Sequence, residues 1–67
     1  MMKIYLNGEP REVPAGCTVA QLVDMQRLAG KRLAVEVDLE IVPRSTYAQR
    51  VLRDGERVEI VHAIGGG

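Results

Sequence analysis

One well-specified helix start with strand patterns on both sides of it is what most restricts the folds open to this chain. Thr18 and Gln21 have the spacing of a capping box, in which each side chain satisfies the other residue's backbone N–H. Beyond them Val19, Leu22, Val23 and Gln26 recur at i, i+3, i+4 and i+7, and Met25 and Leu28 widen the apolar stripe. Gly30 is expected to stop the helix in the left-handed conformation, with Arg27, Lys31 and Arg32 complementing the negative end of its dipole. The pattern predicts a helix from about Val19 to Ala29 with one face laid on a sheet.

The flanking segments supply that sheet. Lys3-Ile4-Tyr5-Leu6 alternates polar and apolar and runs into Asn7-Gly8, a hairpin signal because both turn positions need positive φ. The return arm Glu9 to Val13 contains Pro10, which cannot donate to a ladder and so belongs at a sheet edge. Leu33, Val35 and Val37 alternate with Ala34, Glu36 and Asp38 in a third strand, and Glu40-Ile41-Val42 reads as a short fourth ended by Pro43. Ser45 or Thr46 is expected to cap a single turn through Tyr47 and Ala48, after which Val51 and Leu52 turn inward. Asp54-Gly55 marks a turn, and the last strand runs from Arg57 to Ile64 with Val58 and Ile60 inward. Two strands, one helix and two or three strands make an α+β domain with a mixed four- to five-stranded sheet. This is the order of a β-grasp fold, in which the first and last strands lie parallel at the centre and one helix crosses a face.

Size and charge then narrow the function. A chain of 67 residues builds one small core and leaves little room for the enclosed pocket of roughly 300 Å³ or more that enzymes and ligand binders use. Nine basic residues against nine acidic leave no net charge, so the phosphate attraction behind nucleic-acid binding is missing. No run of residues has the length and apolarity of a membrane span, and the N-terminus lacks signal-peptide character. Cys17 alone cannot close an intramolecular disulfide. These features point to a cytoplasmic domain that engages neither membrane nor nucleic acid.

The chain closes on Ile64-Gly65-Gly66-Gly67. Without Cβ atoms, glycines thread a channel too narrow for other residues, so residues 65–67 read as a flexible tail that delivers a carboxylate from a folded body of residues 1–64. A frayed, purposeless terminus is the competing interpretation.

Taken whole, the sequence resembles the small ubiquitin-like sulfur carriers, and among them the ThiS family of the thiamine pathway. The resemblance rests on Asn7-Gly8, Ala15-Gly16-Cys17-Thr18-Val19, Ile41-Val42-Pro43-Arg44-Ser45, Asp54-Gly55-Glu56-Arg57-Val58-Glu59-Ile60 and the final Gly66-Gly67. It implies a protein co-substrate rather than an enzyme. In such families the terminal carboxylate, here that of Gly67, is adenylated by a separate ThiF-like enzyme that uses ATP and Mg²⁺. A persulfide sulfur donor then converts it to a thiocarboxylate, and thiazole synthase receives the sulfur. Gly65 and Gly66 would give access, and this chain would bind no cofactor of its own. Sulfur delivery to another pathway such as molybdopterin, ubiquitin-like attachment to proteins, and a plain interaction module with an idle tail stand as alternatives.

Other residues invite site readings. Glu36, Asp38 and Glu40 place three acids together, either as a solvated strand and turn or as a docking patch for a basic groove. Val61, Ala63 and Ile64 either close the core or meet a partner. Cys17, one residue before the helix cap, is a candidate persulfide acceptor if the dipole lowers its pKa, or half of a hydrophobic staple on Leu22. His62 and Ser45 do not suffice for a hydrolytic site in so small a chain, and one cysteine with one histidine gives no zinc-type ligand set.

Overall fold

The computed structural model describes residues 1–62. Its strands are β1 (Met2–Leu6), β2 (Glu9–Val13), β3 (Leu33–Val37), β4 (Glu40–Val42) and β5 (Arg57–His62), with the helix α1 (Val19–Met25) between β2 and β3. They form one five-stranded sheet in the order β2-β1-β5-β3-β4. Only the β1–β5 pair is parallel; β1–β2, β3–β4 and β3–β5 are antiparallel. The expected β-grasp arrangement is present, with the Pro10 strand at an edge and β5 in the middle.

Strand alternation sends Ile4, Leu6, Val35, Val37, Val42, Val58 and Ile60 to one face, where they share a core with Val13, Cys17, Leu52 and the helix residues Val19, Leu22 and Val23. No polar or charged residue is buried there among the described residues. Among the described residues no layer covers the opposite face.

The helix begins as expected. Gln21 N donates to Thr18 Oγ1 at 3.1 Å and Thr18 N to Gln21 Oε1 at 2.9 Å. Its end requires a correction: α1 stops at Met25, one turn before Ala29. Arg27, at φ 60°, takes the left-handed position expected of Gly30. Arg27 N then donates to Asp24 O at 2.9 Å and Leu28 N to Val23 O at 3.0 Å, the paired bonds of a Schellman cap. Leu28 packs on the core edge from this cap, and that apolar contact selects the earlier stop. Arg27, Lys31 and Arg32 all lie beyond the last turn, which contains no basic residue.

The segment after β4 also differs. A 3-10 turn spans Arg44–Thr46 with Pro43 at its N-cap and no side-chain cap, so neither Ser45 nor Thr46 starts it. The Thr46 hydroxyl instead donates back to Pro43 O at 2.8 Å. Leu52 enters the core as expected, but Val51 remains 47% exposed. Val51 bridges to Thr18, which turns its side chain away while Leu52 N donates to Cys17 O at 2.8 Å.

Candidate functional site

The expected site is the carboxyl end of β5, because that strand leads toward the glycines. Residues Ala63, Ile64, Gly65, Gly66 and Gly67, on which the tail and carboxylate expectations fall, lie outside the described residues. What the fold defines is the platform before them.

β5 is anchored on both sides over its first half. Tyr5 N donates to Glu56 O at 2.9 Å and Asn7 N to Val58 O at 2.8 Å, the parallel ladder with β1. β1 ends at Leu6, and the Asn7 side chain extends the ladder. Its Oδ1 accepts from Ile60 N at 2.9 Å and its Nδ2 donates to Ile60 O at 3.3 Å. One side chain thereby does what a backbone unit would do, and its φ of 50° is one that asparagine tolerates well. At Val61 and His62 the partner of β5 among the described residues is β3, through Ala34↔Val61 and Leu33↔His62.

The three acids do not form one surface. Asp38 sits at φ 49° in the β3–β4 turn, where its Oδ1 accepts from Arg57 N at 2.9 Å and its own N donates to Arg57 O at 2.8 Å. Glu36 lies on the uncovered face opposite Glu59 and Ile41, whereas Glu40 shares the parity of buried Val42. All three belong to the Arg57 half of the sheet, away from the glycine end. Val61, in contrast, is 66% exposed on the uncovered face, so it does not close the core.

Basic residues occupy the glycine end. Arg32 immediately precedes Leu33, the partner of His62. Arg44 reaches across and donates from Nη2 to Lys31 O at 2.8 Å. Arg32, Arg44 and His62 wall a shallow depression that contains Ala34 and Val61. Charge counting misses this cluster because its members are far apart in sequence; the signal present was Arg44 within Val42-Pro43-Arg44-Ser45.

Cys17 is 2% exposed, and burial pushes its thiol pKa up, opposite to what a persulfide acceptor needs. The helix N-terminus offers it no free donor: Val19 N is taken by Arg50 O at 2.9 Å, Ala20 N by Tyr47 O at 3.0 Å, and Gln21 N by the cap. Cys17 therefore serves as core at the position preceding the cap, in one cluster with Leu22. Ser45 and His62 are both exposed, with no hydrogen bond between them among the described residues. Those residues contain no group of three or more metal-ligating side chains and no helix long and apolar enough to cross a membrane.

Comparison with known proteins adds four findings. The model of the ThiS family matches residues 4–67. The sulfur carrier protein ThiS of Escherichia coli is 37% identical over 68 residues, covering 98% of this chain and 100% of that protein. A thiazole synthase of Paramagnetospirillum magneticum is 47% identical over 66 residues, but the chain spans only 20% of that protein's length. Among solved structures, the thiamine biosynthesis protein (ThiS) of Geobacter metallireducens superposes with a TM-score of 0.83 at 28% identity, covering 98% of this chain and 100% of that one.

Proposed function

Because this chain belongs to the ThiS family, we propose that it is a sulfur carrier of thiamine biosynthesis in which Gly67 bears the sulfur. The observation that carries this reading is the family match running through residue 67, together with similarity to the E. coli carrier over that protein's whole length. The chain acts as a co-substrate, and partner enzymes perform the catalysis.

The chemistry follows from the carboxylate. At neutral pH an α-carboxyl group with a pKa of about 3.3–3.7 is an anion and resists nucleophiles. A carboxylate oxygen of Gly67 attacks the α-phosphorus of ATP on an adenylating enzyme, and pyrophosphate leaves. The mixed anhydride then has AMP as a leaving group. The terminal sulfur of a persulfide attacks the carbonyl carbon and expels AMP, giving an acyl disulfide. A second thiol attacks the donor's sulfur and releases the Gly67 thiocarboxylate. Thiazole synthase is the proposed acceptor, a reading supported by the synthase relative that contains a similar segment. Gly65 and Gly66 carry no side chains to obstruct entry, while the β5 anchor keeps the body outside the partner's site.

The intact mass of the chain tests this after incubation with ATP, Mg²⁺, a sulfur donor and the adenylating enzyme of its own organism. The expected result is a rise equal to exchanging one oxygen for one sulfur, absent when Gly67 is deleted. An unchanged mass beside an adenylating enzyme shown to be active would refute the reading.

A further inference from the structure

The end of β5 nearest the glycines is electrostatically unlike the rest of the sheet. Arg32 and Arg44 flank it, and no acidic side chain lines the depression they wall. Asp38 and Glu40 lie at the other end of the strand, and Glu36 pairs with Glu59 between the two. Among the described residues the ion pairs are Arg50 with Glu56 and Arg11 with Glu9, so neither Arg32 nor Arg44 is neutralised by a carboxylate there. Arg44 is also held, since its bond to the Lys31 carbonyl ties the segment after β4 to the one before β3. A guanidinium oriented in this way gives up less side-chain freedom when it pairs with a carboxylate.

Chain length determines what must cover this surface. Five residues follow His62 and span at most about 17–18 Å when fully extended. Any active site that holds Gly67 therefore brings its rim close to the end of β5. Resting on the sulfur-carrier reading above, we propose that Arg32 and Arg44, around the exposed apolar pair Ala34 and Val61, dock the enzyme that activates Gly67. The partner surface that fits is an apolar rim bearing carboxylates around the mouth of its tail channel. Bidentate guanidinium–carboxylate pairs would set the orientation of the body, and the opposed charges would raise the encounter rate. Asp38 and Glu40 lie at the far end of the strand from this contact, and Glu36 with Glu59 sits on the same face beyond it.

The test measures kcat/KM for sulfur-dependent mass gain with the native chain and with R32E/R44E. Measurements are made at about 20 mM and about 500 mM salt, where screening lengths differ several-fold. The double reversal is expected to lower kcat/KM about tenfold or more at low salt and about twofold or less at high salt, with kcat at saturation retained. E36K/E59K, on the middle of the same face, should leave the rate near the native value or raise it. Because Arg44 bonds to Lys31, R32E alone and R44K serve as second variants, with thermal melting as the check on folding. R32E should show a smaller salt-sensitive loss, and R44K, which keeps the charge but loses the bidentate fork, should fall between the native chain and R32E/R44E. A native rate for R32E/R44E at low salt, or an equal loss at both salts with an unchanged melting point, would overturn the docking site and leave the carrier reading standing. A native chain that gains no sulfur overturns both.

Discussion

The two halves of β5 are built differently. From Arg57 to Ile60 the strand is held on both sides, by β1 and the Asn7 side chain on one and by β3 on the other. Val58 in this half is 0% exposed. At Val61 and His62 a single neighbour remains among the described residues, and both side chains are exposed. The first half is tied to a neighbour along both edges, while the second leaves its side chains exposed, a division that suits the proposed carrier role.

The sharpest way to break the comparison is to truncate adjacent residues across it. Ile60→Ala removes a buried side chain and should cost about 2–5 kcal/mol in urea unfolding. Val61→Ala, one residue later on the other face, should stay within about 0.5 kcal/mol. Similar losses at both positions would mean that the second half is as structural as the first.

A smaller effect is expected from Asn7→Gly, which keeps the positive φ and deletes the side-chain ladder to Ile60. Leaving those two backbone groups without their partner should cost about 1–3 kcal/mol. Amide exchange at Ile60 should accelerate more than exchange at Val35 in the neighbouring strand. Unchanged exchange at Ile60 would show that β3 alone anchors the strand.

The β3–β4 turn sharpens the comparison from the opposite direction. Leu39 has a φ of 71° and is 86% exposed, a conformation that branched, apolar residues adopt at a cost. Leu39→Asn should therefore raise stability by up to about 1 kcal/mol, read as a higher urea midpoint. A lower midpoint would reveal apolar contacts of Leu39 that offset its backbone strain.

The least effect concerns pH. Burial raises the Cys17 pKa above its ordinary value of 9.0, so the folded chain retains a proton that the unfolded chain releases first. This contribution is fully present below the unfolded pKa and is lost as pH rises from there through the folded value. Stability should decline above about pH 9, and Cys17→Ala should flatten that part of the profile. An identical decline in the variant would assign it to other groups.

Much of the architecture was legible because its signals are local. Thr18 with Gln21, Asn7-Gly8, Pro10 and the alternation around Val35 and Val58 each act within a few residues, and each element they define is present. The structure departs from these local signals where distant contacts decide. Gly30 was the natural helix stop by conformational preference, but packing of Leu28 on the core placed the cap at Arg27. Ser45 was a plausible cap by residue type, whereas Pro43 occupies that position and Thr46 bonds back to it. Val51 and Leu52 are both apolar, and the bridge to Thr18 determined which of them points inward.

The candidate site divides in the same way. Sequence by itself determined the glycine run at residues 65–67, the strand ahead of it and the family, since these depend on residue type and order along the chain. Only the tertiary structure decided which charges surround that strand's end. Asp38 was drawn into the turn against Arg57, and Glu36 and Glu40 were sent to opposite faces by strand alternation. Arg32 and Arg44, twelve residues apart in sequence, were brought together because β3 and β4 are antiparallel and the ends flanking them therefore meet.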